Sequence, residues 1–163
     1  MRLWHKDLIP VLPRQQLIGQ WRECCCIAKN IADNGTPNHL LVNYVMDDLL
    51  SFSCYCELVI TEMKNRNYKV SEKSIKKLEN NFYIFSKRYE LLYDVEYDFE
   101  HSNISSLDSW HIFGEFHNVR YLIQCYYNLQ EKYDCGGITD EDWYKIRELV
   151  KDKTKDKTVS LFN

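Results

Sequence analysis

Apolar residues recur at three- and four-residue intervals along most of the chain, which is the spacing of helices that bury one face. Leu17, Trp21, Cys24/Cys25, Ala28 and Ile31/Ala32 form the first such stripe. It predicts a helix over 13–33, with Pro13 at its first position and Asn34-Gly35 as its stop. Leu49, Phe52, Cys56, Val59/Ile60 and Met63 repeat the pattern and predict a helix over 47–66. Its end carries Lys64 and Arg66, where the helix dipole favours cations. Between these two, the run Leu40 to Val45 fits a strand or a helix.

Ser71 suits the N-cap of a third helix, striped by Ile75, Leu78, Phe82, Phe85, Tyr89 and Leu92. Residues 94–112 lack a period and read as a long loop. A fourth helix is expected near 115–133, with Val119, Leu122, Cys125/Tyr126, Leu129 and Tyr133 facing inward and Gly136-Gly137 closing it. Thr139, followed by three acids, opens a short last helix over about 140–150 that buries Trp143, Ile146 and Val150. The expected fold is all-α, a compact single-domain bundle of about five helices over 1–150, with a flexible charged tail at 151–163.

Composition narrows the class. Hydrophobic residues make up 45% of 163, enough for one core. Five Gly and three Pro argue against a turn-rich β fold. No apolar run approaches the ~20 residues that span a membrane, and the first residues are too interrupted by charge and proline for a secretion signal. Seven Cys, three of them consecutive, make a poor disulfide framework and a poor zinc site, so free thiols in the cytoplasm are expected.

The formal charge of −3 does not advertise nucleic-acid binding. The charge is uneven, however. Residues 64–88 hold eight Lys and Arg against Glu72 and Glu79, while 94–108 hold five acids and no base. The basic stretch reads either as a solvated helix face or as a phosphate-binding one.

The chemistry concentrates near the start. Gln15, Gln16, Gly19, Arg22, Glu23 and Cys26 share the helix face opposite the apolar stripe. Gly inside a helix costs about 1 kcal/mol relative to Ala, a cost that close approach of a ligand to the backbone would justify. The pattern Leu12-x-x-Gln15-x-Leu17-x-x-x-Trp21-Arg22-Glu23, with the opening Met1-Arg2-Leu3, resembles the pyrimidine-dimer DNA glycosylases of the phage endonuclease V type. More closely, MRLWHKDLIP with LPRQQL resembles a bacterial branch related to that family. The likeness is specific over residues 1–26 and looser over Asn38 to Tyr68.

The resemblance implies an all-α glycosylase and abasic-site lyase that uses no metal and no cofactor and acts on damaged double-stranded DNA as a monomer. It implies that the α-amine of Met1 attacks C1′ of the damaged nucleotide to form a Schiff base. Glu23 would assist as acid/base, and Arg22 would hold phosphate or base. An α-amine has an unperturbed pKa near 8, so part of it is neutral at pH 7; a lysine would need a shift of several units. Arg2, His5, Arg14, Gln15, Gln16 and Gly19 are the expected DNA contacts, with Gly19 leaving room for an extruded nucleotide. Two alternatives remain at this level: a non-catalytic helical module binding DNA or protein, and the same amine chemistry on another modified base.

Overall fold

The computed structural model describes residues 2–89 and 112–155. Among them are five α-helices: α1 (Arg14–Asn34), α2 (Leu49–Asn65), α3 (Glu72–Arg88), α4 (Val119–Asp134) and α5 (Asp140–Thr154). Two 3-10 helices, Lys6–Val11 and Leu40–Asp47, complete the described elements, and none of these is a strand. The all-α class expected from periodicity holds. The ambiguous run after residue 40 is a 3-10 helix, and the turn at Lys6–Val11 was not foreseen. Most of the loop expected at 94–112, the apolar Leu92 and the tail beyond Lys155 lie outside the described residues.

Local chemistry sets the helix ends. Asp48, Ser71, Asn118 and Thr139 each accept a backbone N–H of the first turn of α2, α3, α4 and α5. Gly35 closes α1 in the left-handed region, at φ 74°, and its N–H donates to the Ile31 carbonyl. A Cβ there would stand 3.2 Å from the Tyr89 hydroxyl, which itself donates to the Gly35 carbonyl. Tyr89 is thus a surface tether between α1 and the end of α3, not a member of the buried stripe. The last helix runs to Thr154, past the expected end at 150, because Thr154 is buried and returns its hydroxyl to the Val150 carbonyl.

α1 packs against α2 and α3, and α4 packs against α5. The first 3-10 helix touches both α2 and α5 and so joins the two groups. Phe52, Phe82 and Phe85 fill the first group, with ring centroids 5.4 and 4.6 Å apart along the series. Trp143 is buried between Tyr126 and Tyr133, stacked on each at 5.1 and 5.0 Å. No helix among the described residues is long and apolar enough to cross a membrane.

Arg66 follows the end of α2 but does more there than complement its dipole. Its guanidinium donates to the carbonyls of Leu12 (2.6 Å), Pro10 (2.7 Å) and Ile9 (3.3 Å), while Nε pairs with Glu62 at 2.6 Å. These carbonyls end the first 3-10 helix and lead into α1. One cation therefore fixes the angle at which the N-terminal segment enters α1.

Candidate active-site cleft

The segment before the first 3-10 helix is held by backbone hydrogen bonds to buried side chains from three helices. The Trp4 N–H donates to Gln20 Oε1 of α1 at 2.8 Å. The Trp4 carbonyl accepts from the Tyr55 hydroxyl of α2 at 2.7 Å, and the Leu3 carbonyl accepts from the Tyr121 hydroxyl of α4. His117, just before α4, takes the Lys6 N–H on Nδ1 at 3.0 Å, and its own carbonyl faces His5 Nε2 at 2.7 Å.

This network dictates the tautomers. Because His117 Nδ1 accepts, its proton sits on Nε2, which faces the Tyr44 hydroxyl at 3.1 Å. Because His5 Nδ1 accepts the Asp7 N–H at 3.2 Å, His5 also carries its proton on Nε2 and donates to the His117 carbonyl. A second proton on either ring would set one N–H against another. Burial pushes both rings down accordingly, His5 to about 4 and His117 to about 2.

The held segment ends at a cleft of about 520 Å³. Arg2 and Trp4 line one side of it, and Gln15, Gln16, Gly19, Gln20 and Glu23 of α1 line its floor; Asn128, Glu131 and Lys132 of α4 form the opposite wall. Gly19 opens directly into it, since a Cβ built there meets no atom within 4 Å. The chain's own packing therefore does not require glycine at this position.

Three buried side-chain atoms have no hydrogen-bond partner among the described residues: Arg2 Nη1, Gln16 Oε1 and Glu23 Oε2. All three belong to residues of this one cleft. An unpaired buried polar atom costs about 1–3 kcal/mol, so native structures keep few of them. One unpaired donor and two unpaired acceptors therefore belong to residues that line the same cleft.

Of the residues singled out in the sequence, Arg2, Gln15, Gln16, Gly19 and Glu23 meet in this cleft. Met1 lies outside the described residues. Arg22 is exposed on the neighbouring flank of α1 and is not among the cleft-lining side chains. Arg14 is exposed, with its guanidinium 5.3 Å above the Tyr68 ring. His5 is 2% exposed and stacked on His117 at 5.1 Å, so in this structure it serves the fold and does not face solvent.

Sequence reasoning missed Gln20, Tyr55, His117 and Tyr121, which hold the segment, and the α4 wall. Gln20 carried a signal in hindsight: it lies on the α1 face between polar and apolar sides. The α4 residues carried none, because only the packing of α4 brings them to α1.

A compact helical domain with a polar cleft between its N-terminal segment, its first long helix and α4 is the class that fold and site define. The family model of the pyrimidine dimer DNA glycosylases matches residues 1–76 of the 163. The matched segment contains the 3-10 helices, α1, α2, Arg2 and Glu23, whereas the α4 wall lies beyond it. None of the curated proteins and none of the solved structures compared matches the chain.

Proposed function

We propose that this chain is a DNA repair glycosylase with abasic-site lyase activity, acting on pyrimidine dimers or a related damaged base in double-stranded DNA. The observation that carries the reading is the cleft itself. It gathers Arg2, Gln16, Gly19 and Glu23, and leaves a buried polar atom unpaired on three of them. The family match over 1–76 supports damaged DNA as the class of substrate.

On this reading the neutral α-amine of Met1 is the nucleophile. Arg2 lines the cleft and is bonded to Met1, the residue that carries the amine. The amine attacks C1′ of the damaged nucleotide, and the C1′–N bond breaks with its electron pair leaving on the base, which takes up a proton. The amine loses its proton as the sugar ring opens to the Schiff base. Removal of a 2′ hydrogen then expels the 3′ phosphate by β-elimination. Glu23, which lines the cleft and has a buried carboxylate oxygen without a hydrogen-bond partner, is the group that relays these protons. Arg2 Nη1 is available to a carbonyl or phosphate oxygen, and Gly19 leaves the volume that an extruded nucleotide fills.

The buried clamp on residues 3–6 gives the mechanism its geometry. A nucleophile at a chain end is useful only if the end is fixed, since a displacement of about 1 Å can cost ~100-fold in rate. His5 belongs to this clamp as a positioning residue, and Arg22 and Arg14 lie outside the cleft as phosphate contacts. The enzyme works as a cytoplasmic monomer and draws on no cofactor. The test is incision of a duplex carrying a single pyrimidine dimer, by the wild-type chain and by Glu23→Gln. Wild-type incision lost in the variant is expected. Binding of the damaged duplex without incision by the wild-type chain would mark a non-catalytic binding module instead.

A further inference from the structure

The positive side chains of this acidic protein are not distributed alike. On α5 and at its C-cap, Lys145, Lys151 and Lys155 each lie within 4.0 Å of an acid one turn away, Glu141, Glu148 and Asp152. On α3, Lys73, Lys76 and Lys77 have no ion-pair partner within that distance among the described residues, and all three are exposed. They share one helix face at spacings of three and four.

That face borders a groove of about 640 Å³ between α3 and the C-terminal half of α1. Lys29 enters it from α1, and Asn80 and Asn81 add amide donors from α3. Lys29 is held by Asp33 at 2.8 Å, and Glu72 stands at the groove's edge, so the three α3 lysines supply its surplus of charge. Groove and cleft both border α1: Glu23 is the last α1 residue lining the cleft, and Lys29 is the first lining the groove. Arg22, Cys26 and Lys29 follow each other at spacings of four and three beside Gly19 and Glu23, over about 10 Å of helix axis.

We infer that the groove between α1 and α3 is a second DNA-contact surface, which carries the sugar-phosphate backbone of the duplex away from the cleft, past Arg22 and Lys29, onto Lys73, Lys76 and Lys77. The inference rests on the DNA-repair reading and extends it beyond the catalytic helix. Its physical content is counterion release: each phosphate neutralised displaces condensed cations, so binding weakens with salt in proportion to the number of contacts. Free, flexible lysines suit this task, because a cation already paired in the protein must give up its partner to take a phosphate.

The experiment measures binding of an undamaged fluorescent duplex across salt concentrations for three proteins. They are wild type, the triple variant Lys73→Gln/Lys76→Gln/Lys77→Gln, and the matched triple Lys145→Gln/Lys151→Gln/Lys155→Gln. All six positions are exposed, and both triples remove the same total charge. The α3 triple should lower the slope of log K against log salt by about two to three, at about 0.9 per phosphate. The α5 triple should lower it by less than one. An unchanged slope in the α3 triple, or equal changes in both triples, overturns the inference. Covalent trapping of wild type on dimer-containing DNA tells the two levels apart. Trapping with an unchanged slope overturns the groove alone, and a wild-type chain that neither traps nor binds duplex overturns both.

Discussion

The Tyr121 hydroxyl, on α4, donates to the carbonyl of Leu3, 118 positions earlier in the chain. The bond links the part of the protein beyond the family match to the segment on which the proposed nucleophile sits. It makes α4 a fixture for the backbone at Leu3. Tyr121→Phe removes the hydroxyl and leaves the Leu3 carbonyl buried without this partner. We expect a loss of about 1–3 kcal/mol in urea unfolding. We also expect incision at saturating substrate to fall several-fold while binding stays near wild type. A variant as active as wild type would show that the clamp does not position the chemistry.

Gly19 sets stability against function. The helix would gain about 1 kcal/mol from alanine at this position, and the added methyl meets no protein atom. Gly19→Ala should therefore raise the unfolding midpoint while reducing incision at least tenfold, because the methyl occupies the floor of the cleft. Gain in both properties would separate Gly19 from substrate binding.

The paired histidines make the clamp sensitive to acid. Between their ordinary value of 6.5 and the lowered values of about 4 for His5 and about 2 for His117, the unfolded chain binds protons that the folded chain refuses. Stability accordingly rises with pH across this window and is lost as pH falls below 6.5, by up to about 1.4 kcal/mol per pH unit for each histidine. Glu57, which burial pushes up to about 6, acts in the opposite sense between 4.5 and 6. It is only half-buried, and solvent screens its contribution. Urea unfolding at pH 7, 6 and 5 should show a falling midpoint. A flat profile would contradict the neutral, mutually bonded pair.

Arg22 and Glu23 are neighbours with different surroundings: Arg22 is exposed beside the cleft, whereas Glu23 lines it and keeps a buried carboxylate oxygen without a hydrogen-bond partner. Arg22→Ala should weaken duplex binding and lower the salt slope by about 0.9. Glu23→Gln should leave binding within a few-fold and cut turnover at least 100-fold, in the range of general acid–base effects. Equal loss of both properties in both variants would contradict the division of roles.

The five helices were legible because each buries a single stripe, and period and caps survive in the sequence without tertiary information. The stripe through Leu17, Trp21 and Cys24 and the caps at Ser71 and Thr139 are examples. The 3-10 turn at Lys6–Val11 was not legible. Its carbonyls are satisfied by Arg66, 54 to 57 positions away, and no local pattern announces that. The α1 face of the cleft could be read from Gln15, Gln16, Gly19 and Glu23, since they lie on one side of one helix. The α4 wall and the His5–His117 pair could not, because they arise from the packing of α4 and α5 around the N-terminal segment. His5 shows the limit clearly. A histidine next to the expected nucleophile suggested a DNA contact, whereas the bonds to His117 that bury it span 112 residues.

On the proposed mechanism an amine at residue 1 does covalent chemistry with Glu23 as its acid/base. Borohydride added during reaction with dimer-containing or abasic duplex reduces any Schiff base to a stable amine and fixes the protein to DNA. Peptide mapping of that adduct is the most direct measurement. A single cross-link at Met1, absent on undamaged duplex, is the expected result. A cross-link on an internal lysine such as Lys6, or none on any damaged DNA, would contradict it.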